Sequence, residues 1–337
     1  GDKLKELFED LNEEDDFEVL NKVNSYSKFE IKDKAGEFIG TRMGRPEKAK
    51  LRKLTGSPNG LFPIAEQGGR LRSVNTAVEK GFIQYDWPIF RCECGHETIY
   101  PFCEKCKKKT KKMFYCRDCC QILDEPCETH ERTSSYKSRK IDSKAYFLDA
   151  LETLGMKKWE VAPLVKGVRG MSNDGKDFEH LAKALLRAKF NLQVNKDGTI
   201  RYDGTEVPLT HFKPFEIGTA VEKLRGLGYL KDIYGEELTD GKQILELKPH
   251  DILIPACPVT QEEPGDEVFV NIAKFVDEEL EKFYKLPKYY NVKTREDLIG
   301  QLVACMAPHN CAGVIGRIIG FTKIQGLTTS PYMHAAM

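Results

Sequence analysis

The chain has 337 residues, 40% of them hydrophobic and 31% charged, and its formal net charge at pH 7 is zero. That composition is ordinary for a folded protein, and the length allows two or three domains with hydrophobic cores. No run approaches the roughly 18 apolar residues that span a bilayer, and the acidic start does not resemble a signal peptide, which predicts a cytoplasmic protein without a membrane partner.

The first ninety residues combine short β-type runs, between 17 and 40, with a strongly basic loop. The stretch from Arg42 to Lys53 holds six basic residues against one acidic residue, Glu47. Glycine and proline punctuate this stretch, which predicts an irregular loop rather than a helix or a strand. Fixed positive charge on such a loop is suited to binding phosphates.

Two further basic features follow in chain order. Gly68-Gly69 predicts a turn that presents Arg70 and Arg72, and residues 105–112 contain six lysines in eight positions. Local basic blocks in a chain of zero net charge are typical of a protein that holds a polyanion at chosen places. The alternative for each block is an ordinary solvated surface.

The cysteines carry the strongest chemical signal. Eight of the eleven lie between Cys92 and Cys127 in a chain without a secretory signal, which indicates metal binding rather than disulfides. Each short pair places two ligands on one tight turn, and two turns close a tetrahedron around zinc with no position left for water, so both sites should be structural. The two sets of four are Cys92, Cys94, Cys103 and Cys106, then Cys116, Cys119, Cys127 and His130.

Some alternatives remain open around these ligands. Cys120 is adjacent to Cys119 and could replace it, and His96 could compete in the first set. An iron–sulfur cluster is the rival interpretation of cysteine-rich spacing, although paired knuckles of this kind favour zinc.

Beyond residue 133 the sequence predicts a mixture of helices and strands. Residues 134–140 have the composition of a linker, and the acidic cluster 277–281 is expected to be a salt-bridged surface rather than a metal site. Helical spacing predicts helices over 144–154, 178–190 (with Asp177 as N-cap), 220–227, 270–284 and 294–306 (capped by Thr294 and Asp297). Strand patterns predict a hairpin over 192–202 with its turn at 195–198, and a buried strand over 250–256.

Several segments together resemble the large subunit of the archaeal family D DNA polymerases. They follow the family's order along essentially the whole chain and comprise residues 15–31, 40–50, 61–74, both cysteine sets, 198–218, 297–321 and 331–337. The resemblance implies an α+β fold with a two-barrel core of double-psi β-barrels, inserted zinc ribbons and helical accessory segments. It also implies DNA-directed DNA synthesis with two magnesium ions, DNA as substrate, a small proofreading subunit as partner, and a sliding clamp as a further partner.

The same resemblance assigns regions and residues. Residues 1–90 would form the first barrel region, 91–132 the two zinc lobes, 133–210 accessory helices and a hairpin, and 211–337 the second barrel region. Lys48 and Lys50 would support catalysis by facing phosphates. The DNA-binding residues expected from the basic loop, the turn, the lysine run and the last apolar segment are Arg42, Arg45, Lys48, Lys50, Arg70, Arg72, Lys107, Lys108 and Arg317.

One departure from the family pattern concerns the catalytic acids. In the family, the His-Ala-Ala stretch that matches residues 334–336 is followed by an Asp-x-Asp motif that binds magnesium, and these 337 residues do not contain it. Two-metal chemistry needs such carboxylates. We therefore expect binding without polymerisation by this chain unless a further segment or another chain supplies the acids. The alternative function is a non-catalytic nucleic-acid-binding scaffold built on zinc ribbons.

Overall fold

A computed structural model describes residues 23–25, 50–204, 206–257, 263–306 and 313–329. These residues divide into two compact units whose segments alternate along the chain. The larger unit comprises the described residues of 48–204 and 255–301, and the smaller unit includes those of 205–254 and 302–337. Of the span 17–40, in which short β-type runs are predicted, the described residues are 23–25, which are helical, and the rest lies outside the described residues.

The described elements are short helices and strands in roughly even mixture, which confirms a mixed helix-and-strand fold. The helices are α1 (Val74–Lys80), α2 (Ser143–Leu154), α3 (Leu181–Lys189), α4 (Val221–Gly226) and α5 (Gly265–Glu278). The strands are β1 (Lys50–Arg52), β2 (Phe82–Pro88), β3 (Phe90–Arg91), β4 (Glu97–Thr98), β5 (Lys111–Lys112), β6 (Phe114–Cys116), β7 (Gln121–Leu123), β8 (Thr133–Ser134), β9 (Tyr136–Asp142), β10 (Arg201–Asp203), β11 (Glu206–Pro208), β12 (His211–Phe212), β13 (Leu245–Glu246), β14 (Asp251–Pro255), β15 (Leu302–Met306), β16 (Gly313–Thr322) and β17 (Leu327–Thr329). None of the helices among these residues is long and apolar enough to cross a membrane.

Helix α2 confirms the helix predicted over 144–154. The carboxylate of Asp142 accepts hydrogen bonds from the first backbone N–H groups of the helix, and Gly155 ends it with a φ of 60°. Both devices satisfy backbone groups that a helix terminus leaves without partners. Helix α4 likewise confirms the helix predicted over 220–227.

Helix α3 corrects the start predicted for 178–190. The helix begins at Leu181, and its cap is His180, whose Nδ1 accepts from the N–H of Ala182. Asp177 does not cap it, because its carboxylate instead pairs with Lys112 at 3.2 Å. Because Lys112 lies 65 residues before Asp177, the local sequence around the helix could not show that Asp177 has another partner.

The core of the larger unit is aromatic at its centre. Phe62, Trp87 and Phe178 form a ring cluster with centroids 5.2–5.6 Å apart. Leu151 and Leu154 from α2, with Leu185 and Leu186 from α3, belong to the same buried cluster. Burial of such side chains contributes about 1.5–3 kcal/mol each, so this cluster fixes the frame on which the zinc lobes are carried.

Residues 134–140 are not a linker, which corrects that prediction. Tyr136–Asp142 form strand β9, which pairs along seven residues with β2. Its cations lie on aromatic rings, since Lys137 is 4.5 Å from the Tyr115 centroid and Lys140 is 4.9 Å from that of Phe82. Lysine stems can cover apolar surface in this way, which hides a strand within a sequence of polar composition.

The hairpin predicted over 192–202 is half correct. The turn exists, because the N–H of Gly198 donates to the carbonyl of Asn195 and the N–H of Asn195 donates to that of Thr199. The second strand, β10, pairs with β1 instead of with residues 192–194. A turn is decided by nearby residues, whereas the strand partner here is supplied from about 150 residues away.

The smaller unit is built on a five-stranded sheet with the order β11-β17-β14-β16-β15. All five residues of β14 are buried, which confirms the buried strand predicted over 250–256. One face of the sheet contributes Leu253 and Ile319 to a core shared with Phe212, Leu224 and Leu245.

The two predicted C-terminal helices have different outcomes. The helix predicted over 270–284 exists as α5, which starts five residues earlier and continues through a π-helical turn, Glu279–Phe283. The helix predicted over 294–306 is wrong beyond its first turn. Thr294 and Asp297 do form a capping box, but Gly300 has a φ of 96° and Leu302–Met306 form β15 against β16. Antiparallel pairing with the next strand, β16, overrides the helical pattern here.

Candidate zinc centres and basic surface

The first lobe, residues 90–112, is a three-stranded sheet with two knuckles. The N–H of Gly95 donates to the carbonyl of Cys92, and the N–H of Lys107 donates to that of Cys103, both at 2.9 Å. Gly95 and Lys107 take positive φ values of 81° and 58°, which turn the chain so that each knuckle presents its pair of thiols. The Sγ atoms of Cys94 and Cys103 lie 3.7 Å apart.

The second lobe, residues 114–134, repeats this design with a histidine as fourth ligand. The Sγ atoms of Cys119 and Cys127 lie 3.9 Å apart. Nδ1 of His130 lies 3.2 Å from Cys119 Sγ and 3.8 Å from Cys116 Sγ. In each lobe all four ligand atoms lie within 4.8 Å of one another.

These spacings fit zinc. A Zn–S distance of about 2.3 Å at tetrahedral angles places two sulfurs about 3.8 Å apart. Two cross-knuckle sulfur distances, 3.7 Å for Cys94–Cys103 and 3.9 Å for Cys119–Cys127, match that value, whereas the sulfurs of Cys92 and Cys106 are closer at 3.2 Å. Thiolate and imidazole are also the ligands that structural zinc sites use, so both groups could hold a zinc ion with a closed coordination shell.

The protonation of the thiols points in the same direction. Hydrogen bonds from the Thr129 side chain and backbone and from His130 lower the pKa of Cys127 to about 6, although partial burial opposes them. In contrast, the side-chain contact with Cys116, followed by burial, raises the pKa of Cys119 to about 12. Neighbouring thiolates repel one another, so a dication would be needed to keep all of them ionised together.

The geometry bears on the two open alternatives among the candidate ligands. Cys120 adopts a φ of 57° at the end of its knuckle and directs its thiol to the carbonyl of Arg117 at 3.4 Å. Cys119, and not Cys120, belongs to the second group that could hold a metal ion. Nε2 of His96 lies 3.3 Å from the carboxylate of Glu104 and His96 is not part of the first group.

The predicted DNA-binding residues are placed in different settings. Arg42, Arg45 and Lys48 lie outside the described residues. Lys50 begins β1 and is exposed. Arg70 is exposed on the predicted Gly68-Gly69 turn, which the structure confirms, whereas Arg72 donates to the carbonyl of Thr55.

The lysine run on the first lobe is exposed but partly paired. Lys107 Nζ lies 3.6 Å from Asp149 on α2, and Lys108 Nζ lies 3.8 Å from Glu93. Both side chains remain about two-thirds exposed (68% and 69%), so a polyanion can still reach their ammonium groups. Exposed pairs of this kind are weak and are readily exchanged for phosphate contacts.

Arg317 differs from the other predicted DNA contacts. Its Nε and Nη2 each lie 2.8 Å from a different oxygen of Asp251, and Nη1 donates to the carbonyl of Leu227 at 3.1 Å. Asp251 is buried and also accepts from the hydroxyl of Tyr229. The hydrogen bond with Asp251 raises the pKa of Arg317 above its ordinary value, so the guanidinium balances a buried carboxylate.

The acidic cluster of α5 is mostly a salt-bridged surface, as predicted. Glu278 pairs with Lys189 and Lys282, and Glu279 pairs with Lys183. Asp277 behaves differently and was missed by sequence reasoning. It is buried, and its carboxylate accepts three backbone N–H groups from residues 289–291.

Comparisons with known proteins give a consistent result. A family model described as the catalytic domain of DNA polymerase II large subunit DP2 matches residues 157–337, and one described as its central domain matches residues 2–125. The DNA polymerase II large subunit of Nanoarchaeum equitans is 42% identical over 356 residues, and that of Archaeoglobus fulgidus is 41% identical over 350.

Coverage is uneven between this chain and those relatives. The alignments cover 94% and 99% of this chain, but only 28% and 29% of the Nanoarchaeum and Archaeoglobus proteins. The large subunit of Thermococcus kodakarensis is 40% identical, with 95% of this chain and 18% of that protein covered. The chain thus spans less than a third of the length of these relatives.

Proposed function

The chain belongs to the family of archaeal DNA polymerase II large subunits, and we propose that it forms part of the catalytic subunit of a DNA-directed DNA polymerase that binds primer–template DNA. The observation that carries the proposal is the order of the matches, with the central-domain model over residues 2–125 and the catalytic-domain model over 157–337. Two zinc-competent lobes beside a lysine-rich surface support it, because folded metal modules with exposed cations are well suited to holding a nucleic-acid backbone.

The proposal includes the barrel architecture and the phosphate-facing lysines. We assign the two double-psi β-barrel regions to residues 1–90 and 211–337, and the zinc lobes to 91–132. Lys48 and Lys50 would stabilise negative charge on the transferred phosphates, which is the main task of a protein in phosphoryl transfer. The small proofreading subunit and a sliding clamp are the proposed protein partners.

Magnesium chemistry needs carboxylates that are free to bind a cation. The described buried aspartates already face partners, Asp266 among them, with Arg295 at 3.6 Å. Asp251 is neutralised by Arg317, and Asp277 is engaged by three backbone N–H groups. The acids that hold the catalytic magnesium ions are therefore proposed to come from the family's Asp-x-Asp segment, supplied in addition to this chain.

The contribution of zinc would be structural. When bound, it would hold the two lobes folded, and the ligands are the cysteines and the histidine described above. The chain's own cations then make the DNA contacts. Lys107 and Lys108 project from the first lobe, and Lys50 lies at the start of β1.

One experiment with two measurements tests this function. The first is DNA affinity against salt concentration for the wild type, for Lys50→Gln, and for Lys144→Gln as a matched exposed lysine outside the basic blocks. Each lost phosphate contact should reduce the log–log salt slope by roughly one unit, so Lys50→Gln lowers it and Lys144→Gln does not. The second is magnesium-dependent primer extension, with and without a chain that carries the Asp-x-Asp segment.

Extension only in the presence of the added segment would support the polymerase. DNA binding that never becomes extension, under any supplementation, would favour the alternative of a zinc-ribbon scaffold without chemistry. Absence of DNA binding would refute both. Extension by the chain alone would refute the assignment of the magnesium ligands to the added segment.

A further inference from the structure

A short turn after α5 is organised by a buried carboxylate. We call residues 288–291 the tyrosine turn. Asp277 is 5% exposed, and its Oδ1 accepts from the N–H groups of Tyr289 and Tyr290 at 3.0 Å and 2.8 Å. Its Oδ2 accepts from the N–H of Asn291 at 2.7 Å. All three bonds are charge-assisted, and they fix the backbone of three consecutive residues.

Burial of a carboxylate costs free energy unless hydrogen bonds satisfy it. Here the three N–H groups of the turn offset that cost, so the buried Asp277 is stable only when the turn keeps this backbone conformation. The side chains held in this way are not core residues. Tyr289 is 72% exposed, and its ring meets that of Tyr290 edge-to-face, with centroids 5.0 Å apart. Tyr290 is partly buried, and its ring supports the ring of Tyr289 from one side. A rigid backbone thus presents an aromatic ring with an open face.

The sequence around this ring is rich in cations. Residues 284–295 contain four cations and no carboxylate. Lys288 and Lys293 are exposed on either side of the tyrosines. Besides the buried Asp277, the turn contacts Glu281, which pairs with Lys288 at 3.2 Å, and both of these side chains are about half exposed (51% and 44%). Such a pair is weak and exchanges readily for a phosphate.

We propose that the tyrosine turn is a stacking site for an unpaired base of single-stranded DNA, with Tyr289 contacting the base and Lys288 and Lys293 contacting the flanking phosphates. An exposed aromatic ring among lysines is the combination by which proteins bind single strands without reading sequence, because every base has a π-face. Duplex DNA does not fit as well, since its bases already stack on each other. The site lies within the larger unit and requires no catalysis, so it goes beyond the proposed polymerase function.

The experiment measures the affinity of the full chain for a labelled oligo-dT of about 12 nucleotides and for the same oligonucleotide with abasic residues, by fluorescence anisotropy. The variants are Tyr289→Ala, Tyr289→Phe and, as a matched control, Tyr234→Ala. Tyr234 is 76% exposed on the other compact unit. Stacking predicts that wild type binds oligo-dT about fivefold or more tightly than the abasic strand.

Tyr289→Ala should lose that preference while its melting temperature stays unchanged, because the ring is exposed. Tyr289→Phe and Tyr234→Ala should keep the preference. Equal discrimination by wild type and Tyr289→Ala would overturn the proposal, whether or not Tyr289→Ala also loses affinity equally for both strands. Failure of the proposed polymerase function would look different, as DNA binding that never becomes primer extension under any supplementation, in wild type and Tyr289→Ala alike.

Discussion

The two zinc lobes share their ligand design but differ in how they are attached to the protein. Ile99 and Tyr100 of the first lobe belong to the main buried cluster of the larger unit. The Tyr100 ring stacks on His180 with centroids 4.2 Å apart, and its hydroxyl accepts from the N–H of Leu181 at the start of α3. In the second lobe, residues 114–134, all of which the structure describes, Cys116 alone is buried.

The difference shows two ways of stabilising a small metal module. Apolar burial and metal binding both stabilise the first lobe. Because this lobe packs on the core of the larger unit, the loss of either should also destabilise that core. The second lobe has little apolar burial of its own, and its attachment includes a cation–π contact between Lys137 and Tyr115. Metal binding must supply nearly all of its folding free energy.

Replacement of a first-lobe ligand should have the largest effect. Cys103→Ser removes a buried thiol (1% exposed) and should reduce bound zinc from two ions to one. Because Tyr100 links this lobe to α3, we expect the global free energy of unfolding to fall by about 2 kcal/mol or more. Metal analysis and denaturant unfolding measure the two effects. An unfolding midpoint equal to that of wild type would show that the two lobes do not differ in this respect.

Replacement of a second-lobe ligand should also cost one zinc ion but should act locally. Cys127→Ser is expected to abolish hydrogen-exchange protection in residues 114–134 and to leave α2 and α3 protected, since few core side chains depend on this lobe. Cys120→Ser is the matched control, because its thiol lies outside the ligand group. Loss of zinc in Cys120→Ser, or of protection in α2 after Cys127→Ser, would contradict this difference between the lobes.

The predictions from sequence were accurate where neighbouring residues decide the structure. The eight candidate ligands lie on tight turns of a few residues each, and their spacing was enough to group them as the structure does. Helix α2 and the capping box at Thr294 are likewise set by residues three or four positions apart.

The errors arose where residues beyond the local window decide. Strand β9 exists because it pairs with β2, which precedes the zinc lobes in sequence, and β15 exists because it pairs with the strand that follows it, β16. The role of Asp277 had no local signal, since its partners lie 12 to 14 residues away in a turn without regular structure. The alternation of the two compact units along the chain depends on the same long-range contacts.

The smallest effect that we expect separates two ion pairs on the zinc lobes. Lys107 Nζ lies 3.6 Å from Asp149, whose side chain is 19% exposed, whereas Lys111 pairs with Asp124 of the second lobe while both side chains are largely exposed (61% and 68%). Burial raises the pKa of Asp149, but a hydrogen bond from His180 and the charge of Lys107 outweigh it and hold that pKa below its ordinary value of 3.8. Asp149 is therefore ionised at neutral pH and can form an ion pair with Lys107.

Lys107→Gln should lower the free energy of unfolding at neutral pH and low salt by about 0.5 kcal/mol, and the difference should shrink at about 1 M salt, where the Debye length is only about 3 Å. Lys111→Gln should change stability by less than the error of the measurement, because both of its charges are solvated. Glutamine keeps most of the lysine stem, so packing at residue 107, which needs a positive φ, changes little. Denaturant unfolding of wild type and both variants at the two salt concentrations measures these differences in the free energy of unfolding. Equal effects of the two substitutions would mean that the pair between Lys107 and Asp149 stabilises the protein no more than a pair between two exposed side chains.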